Sequence, residues 1–142
     1  MKTQSELNDS EKCKITDEIR TIVNNFFNPN TLNLESHIAL RADVDGYVMG
    51  SDGKILYTDF NSYKEGITQT FETFERFTKL KCTKMFVYVL ASDAASCTTE
   101  FEGTILTKDG DSFIHNGSWT FVFKKFGNDW KVVQENGTHL HE

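Results

Sequence analysis

Gly117–Thr138, GSWTFVFKKFGNDWKVVQENGT, decides the fold. Trp119, Phe121 and Phe123 alternate with Thr120, Val122 and Lys124, the period of two that marks a strand with one buried face. A second alternating run follows Gly127-Asn128, a pair suited to a tight turn, so the stretch reads as two long antiparallel strands. If Phe126 and Asp129 flank that turn, Phe123 pairs with Val132, Phe121 with Gln134 and Trp119 with Asn136. The expected inner face is therefore aromatic, with two amides at its far end.

Working outward, the rest of the second half is also strand. Lys81–Leu90 alternates Met85, Val87 and Val89 with Lys84, Phe86 and Tyr88. Ser92-Asp93 turns the chain into Ala94–Thr107, and Lys108–Asp111 turns it again into Ser112–Phe126. The first half is mainly helical. Ile15, Ile19, Ile22, Val23 and Phe26 recur at helical spacing behind the capping candidates Asp9 and Ser10. Asn28-Pro29-Asn30 ends that helix, because proline cannot continue it. A short second helix runs from Thr31 or Asn33 toward Leu40. Gly46–Gly50 and Lys54–Thr58 form a hairpin across Ser51-Asp52-Gly53, where Asp-Gly accepts positive φ. Asn61 or Ser62 opens a third helix with an apolar stripe of Ile67, Phe71, Phe74 and Phe77. Helices first and long antiparallel strands after predict an α+β domain with its helices on one face of a sheet that must curl.

The chain has 142 residues and a net charge of −6, with 38% hydrophobic and 13% aromatic content. That suits one globular domain over 1–142, with 1–9 and 139–142 expected as mobile ends. The negative balance and the lack of a clustered basic face argue against nucleic acid. No apolar run approaches a membrane span, and the polar start MKTQSELNDSEKCK predicts a cytoplasmic protein. Cys13, Cys82 and Cys97 are odd in number and form no C-x-x-C pair, so they read as reduced structural thiols. Neither a nucleophile-elbow, zincin or phosphate-loop motif nor any cofactor signature occurs, and no cofactor or metal is expected.

Several stretches together resemble a known superfamily. These are Gly46–Gly53, Tyr63-Lys64-Glu65-Gly66, Asp93-Ala94 with Glu100-Phe101-Glu102-Gly103, and above all Gly117-Ser118-Trp119-Thr120 with Trp130-Lys131-Val132-Val133. They look like the nuclear transport factor 2-like superfamily, in particular its SnoaL-like and ketosteroid-isomerase-like small bacterial proteins, over roughly residues 14–138. The resemblance implies a cone-shaped, cystatin-like roll: three helices on a curved antiparallel sheet, a conical cavity between them, and a homodimer packed through the sheets. The superfamily hosts isomerases, cyclases, dehydratases, binding domains and assembly modules, so the fold leaves the function open. Ketosteroid isomerase uses a tyrosine and an acid on the enolate, yet Ile15–Phe27 holds no tyrosine. Many SnoaL-like relatives place histidines near the end of the last strand, where Gln134 and Asn136 stand here.

The candidates for chemistry follow from residue type. Asp43 and Asp45 precede the first short strand near the expected opening, and paired carboxylates can divide acid and base roles. His37 and His115 are the only histidines outside the tail; a lone histidine of this kind reads as surface or satisfied core, and His115 is the one taken as a candidate base. Tyr47, Tyr63, Trp119, Phe121, Gln134 and Asn136 are expected to line the cavity, giving apolar area with a few orienting polar groups. His139-Leu140-His141 reads as a terminal pair with no third metal ligand. Two functions remain open at this point: a site for a small apolar molecule, with or without proton transfer, and a non-catalytic dimeric interaction or assembly module.

Overall fold

The computed structural model describes residues 1–140. Its last hairpin joins β6 (Asn116–Phe126) to β7 (Asp129–Leu140), and Gly127 supplies the turn with a φ of 62°. The anticipated register holds from Phe126–Asp129 to Phe123–Val132 and then shifts. Val133 is an extra residue on β7, so Val122 pairs with Gln134, Phe121 with Glu135 and Trp119 with Gly137. A bulge of this kind reverses which residues face inward from that point on. Glu135 is therefore buried, and Gln134 and Asn136 are exposed on the outer face. This corrects the expectation that the two amides face the cavity.

Seven strands make one sheet in the order β2-β1-β7-β6-β4-β3, with β5 paired to β4. The remaining strands are β1 (Val48–Ser51), β2 (Lys54–Tyr57), β3 (Phe74–Ala91), β4 (Ala94–Thr107) and β5 (Ser112–Ile114). Among the described residues every strand pairs antiparallel with its neighbours except that β1 runs parallel to β7, which makes the sheet mixed. The expected single strand 112–126 is split at His115, whose N–H bonds the Gly103 carbonyl at 2.9 Å while Asn116 Oδ1 accepts from Gly103 N–H at 3.1 Å. The break leaves His115 beside the inner face, in contact with Phe101.

The helices are α1 (Asp9–Phe26), α2 (Leu34–Ala39) and α3 (Phe60–Glu72). Asn8 caps α1 through a capping box with Glu11, Asn33 caps α2 with Ser36, and Asp59 caps α3. Each side-chain oxygen satisfies an N–H that the helix itself leaves unpaired. Ile15, Ile19 and Val23 of α1 and Phe27 just beyond it pack on the inner sheet face, against residues such as Leu80, Cys97, Phe101, Phe121 and Phe123. The stripe read on α3 ends early, because Phe74 and Phe77 belong to β3. The leader is not loose either. Thr3 bridges Ala91, Ser92 N–H bonds the Lys2 carbonyl at 2.9 Å, and Gln4 Nε2 donates to the Val89 carbonyl at 2.8 Å. At the other end His139 and Leu140 belong to β7, and His141 and Glu142 lie outside the described residues.

Candidate functional site

Between the helices and the inner sheet face lies a cavity of about 300 Å³. Its wall is mostly aromatic and aliphatic, with Phe26, Phe71, Phe101, Trp119 and Phe121 prominent, and its polar groups fall into two clusters. The first reaches the wall through Arg41 and is centred on Glu135 behind it, brought inward by the Val133 bulge. Arg41 Nε and Nη2 donate to the two Glu135 oxygens at 2.8 and 2.5 Å, Tyr47 Oη donates at 2.6 Å and Trp119 Nε1 at 2.9 Å. The arginine and glutamate side chains are 2% and 0% exposed. A charged pair so buried persists only when its hydrogen-bonding capacity is met, and four donors meet it here. Burial by itself would lower the Arg41 pKa, but the Glu135 carboxylate overrides it and holds the guanidinium charged. Burial raises the Tyr47 phenol, as does the neighbouring carboxylate, so it stays a hydrogen donor.

Arg41 also reaches back one helical turn to His37. Its Nη1 lies 2.9 Å from the His37 carbonyl oxygen and 3.2 Å from Nδ1, and Tyr63 Oη lies 2.6 Å from that same nitrogen. The guanidinium carbon stands over the rings of Phe26, Tyr63 and Phe121 at 5.1, 5.5 and 5.8 Å, so aromatic faces enclose the charge on its free sides.

The second cluster joins the β1–β2 turn to the end of β7. Asp52 has a φ of 54° and Gly53 one of 85°, the two positive values that a two-residue hairpin turn requires. In that turn Asp52 Oδ1 accepts from His139 N–H at 2.7 Å, and Oδ2 lies 3.2 Å from His139 Nδ1. Burial would raise the Asp52 pKa, but the bonds from the His139 N–H, the His139 ring and the Ser51 hydroxyl outweigh it and lower it. His115 packs on His139 with ring centroids 4.8 Å apart, and burial pushes its pKa down to about 4. His115 is thus neutral near pH 7.

Of the residues expected at the site, His115, Trp119 and Phe121 line the cavity. Tyr47 and Tyr63 are fully buried behind it, bonded to Glu135 and to His37. Asp43 and Asp45 are exposed and do not line it, because the 43–46 loop turns outward before Tyr47 re-enters the core. Gln134 and Asn136 lie on the opposite sheet face. In sequence, Arg41 and Glu135 carry no assigned role, and Asp52 reads only as a turn residue, His139 as half of a terminal pair and His37 as surface or satisfied core. One signal was present: Arg41 stands four residues after His37, just past the end expected for the second helix, a spacing that brings side chains together where helical geometry continues. Among the described residues no group of three or more His, Cys, Asp or Glu side chains is placed to hold a metal ion, and no helix is long and apolar enough to cross a membrane.

Three helices packed on one large curved sheet around a cavity form the nuclear transport factor 2-like fold, and solved structures agree. A hexachlorocyclohexane dehydrochlorinase (LinA type 2) superposes with a TM-score of 0.72 at 9% identity, over 94% of this chain and 90% of its own. The LinA type 3 enzyme from Novosphingobium barchaimii gives 0.70 at 10% identity, over 94% and 92%. A nuclear transport factor 2-like superfamily protein from Salmonella enterica serovar Typhimurium gives 0.70 at 16% identity, over 94% and 93%. The likeness is one of fold. No protein-family model matches the sequence, and no curated protein does.

Proposed function

We propose that this protein binds a small, largely apolar molecule in the cavity and moves a proton on it, with His139 as the base. The observation that carries the reading is the Asp52–His139 pair on the wall of an otherwise apolar cavity. The Asp52 carboxylate accepts the Nδ1 hydrogen, which fixes the ring and leaves the Nε2 lone pair to take a proton. A carboxylate in that place also steadies the imidazolium that forms. Neutral His115 packs against the ring without opposing that new charge. The apolar wall supplies affinity through buried area, and its few polar groups supply orientation. A dehydrochlorinase of the same fold removes hydrogen and chloride from its substrate, which makes proton removal on this scaffold a natural class to test.

The test is deuterium uptake from heavy water by small carbon acids, read by proton NMR. The set includes 2-tetralone, which carries a carbonyl, and indene, which carries no oxygen. Uptake above buffer by at least one of them, abolished in His139→Gln and reduced in Asp52→Asn, is the expected result. The asparagine variant is a fair probe because asparagine also tolerates positive φ, so the turn is kept while the charge and one of the two acceptor oxygens are lost. Uptake that is unchanged in His139→Gln would overturn the assignment of the base.

A further inference from the structure

The α2 wall of the cavity holds its polar groups in one protonation state, and that state selects a ligand. A guanidinium has donors only. Arg41 Nη1 lies 3.2 Å from His37 Nδ1, and this positive donor beside the nitrogen favours a lone pair there, with the ring hydrogen on Nε2. Tyr63 Oη, 2.6 Å away, is a second hydroxyl donor to the same nitrogen or to the His37 carbonyl at 3.0 Å. A second ring proton would point at a positive charge. Burial first, then Arg41, then His115 hold the His37 pKa well below its ordinary value. The other groups around it do not reverse this: Tyr63 of α3 is a neutral phenol, and Glu135 of β7 is engaged by Arg41. Because Nδ1 is turned to Arg41 and Tyr63, the ring edge that carries Nε2–H is turned away from them, on the side where His37 lines the cavity. Among the described residues no protein group accepts from Nε2.

We infer that His37 is a fixed Nε2–H donor for an oxygen atom of the ligand, so that the molecule taken is an apolar carbonyl compound or its enol rather than a hydrocarbon or an oxygen-free haloalkane. This rests on the reading of the cavity as a ligand site. His37 is only partly buried, so its N–H is within reach of water, and a ligand that displaces that water is favoured when it supplies an acceptor in its place. The donor also fits the proton transfer. When the C–H bond beside a carbonyl breaks, its electron pair forms the new C=C bond and the carbonyl π pair moves onto oxygen. The proton goes to His139 Nε2, and the hydrogen bond from His37 strengthens as the oxygen becomes negative. Where the carbonyl compound carries a C=C bond beside the broken C–H, the enolate is a dienolate, and return of the proton to its far carbon completes an isomerisation with no further reactant. Arg41 is a positioning residue in this scheme, since it acts by holding the tautomer of His37.

The experiment compares the binding of 2-naphthol, a planar analogue of the 2-tetralone enol, with that of naphthalene, by calorimetry or fluorescence. The ratio of the two affinities is measured in the parent, in His37→Phe and in His37→Gln, whose amide nitrogen takes the place of Nε2. Loss of one neutral hydrogen bond predicts that the naphthol preference falls about five- to tenfold in the phenylalanine variant and returns with glutamine. An equal preference in parent and His37→Phe overturns the inference while leaving the ligand site intact. Failure of both compounds to bind the parent overturns the ligand site and the inference with it. Nitrogen-15 NMR of the unaltered protein gives a second, independent reading: His37 in the Nε2–H form supports the inference, and the Nδ1–H form refutes it.

Discussion

Glu135 is the residue on which most of the interior polar order depends. It takes two bonds from Arg41 and one each from Tyr47 and Trp119, and Arg41 in turn holds His37. Removing one member of a buried ion pair leaves the other charged and unpaired, so Glu135→Gln is expected to cost about 3–5 kcal/mol. Replacing both as Arg41→Met with Glu135→Leu should cost less than either single change, because no orphaned charge remains. Urea denaturation checks this, and a glutamine variant as stable as the parent would contradict it. A second expectation concerns pH. The folded pKa of His115 is depressed to about 4, so between about 6.5 and 4 the unfolded chain binds a proton that the folded chain does not. That contribution to stability is complete above about pH 6.5 and is lost as the pH falls through 4, up to roughly 3 kcal/mol in all. His37, depressed in the same direction, adds to the slope. Asp52, lowered below the ordinary carboxylate range, acts only in more acidic solution. Denaturation midpoints measured across this range should slope upward with pH, and His115→Phe should flatten part of the slope.

At the scale of elements, the end of the β6–β7 hairpin brings the site together, and two glycines let it close. A Cβ on Gly137 would run into the Ser118 carbonyl and the backbone and ring of Trp119, and the same addition at Gly117 would meet the Thr138 carbonyl. Gly137 also accepts the Asp52 N–H bond at 3.0 Å, two residues before His139. Gly137→Ala is therefore expected to cost about 1–3 kcal/mol and to separate His139 from Asp52. Loss of the parent's histidine-to-carboxylate NMR signature at His139 would register the second effect, and an alanine variant with parent stability would refute the first. The same hairpin explains what was legible in the sequence. Period-two alternation located both strands and their turn, because side-chain period is a local property. The bulge was not legible, since Val133 simply follows another valine, Val132, and nothing local marks it as unpaired. One unpaired residue then exchanged Gln134 and Asn136 for Glu135 on the inner face. Likewise Asp-Gly announced the β1–β2 turn, but the pairing of that turn's carboxylate with His139 depends on the parallel β1–β7 contact, 88 residues apart at Ser51–His139. Phe74 and Phe77 kept a helical spacing past the end of α3 because aromatic residues serve a curved strand equally well.

At the scale of the whole molecule, the outer face of the sheet carries a band without charge. Strand register sets two rows across four strands: Phe86, Thr98, Thr120 and Asn136 in one, Tyr88, Ser96, Val122 and Gln134 in the next. None of these eight residues is charged, although the chain as a whole is 25% charged. Ion pairs bound the band on both sides, Lys84 with Glu100 at 3.5 Å and Lys124 with Asp93 at 2.8 Å. Charge depletion at the centre with a charged rim is the anatomy of a protein interface, and aromatic groups such as the 69% exposed Phe86 are its usual anchors. Gln134 and Asn136, absent from the cavity, are exposed in this band and would offer hydrogen bonds to a partner seated on it. We therefore propose a homodimer through this face, burying about 800 Å² per partner if it is of standard size. Sedimentation velocity at micromolar concentration should give the mass of two chains. Val122→Glu, placing a charge in the middle of the band, should give one chain while the helices and cavity keep their circular dichroism and ligand response. A parent protein that sediments as a monomer would refute the dimer. A Val122→Glu protein that stays dimeric would move the interface elsewhere, for only contacts away from this face tolerate an uncompensated carboxylate at its centre.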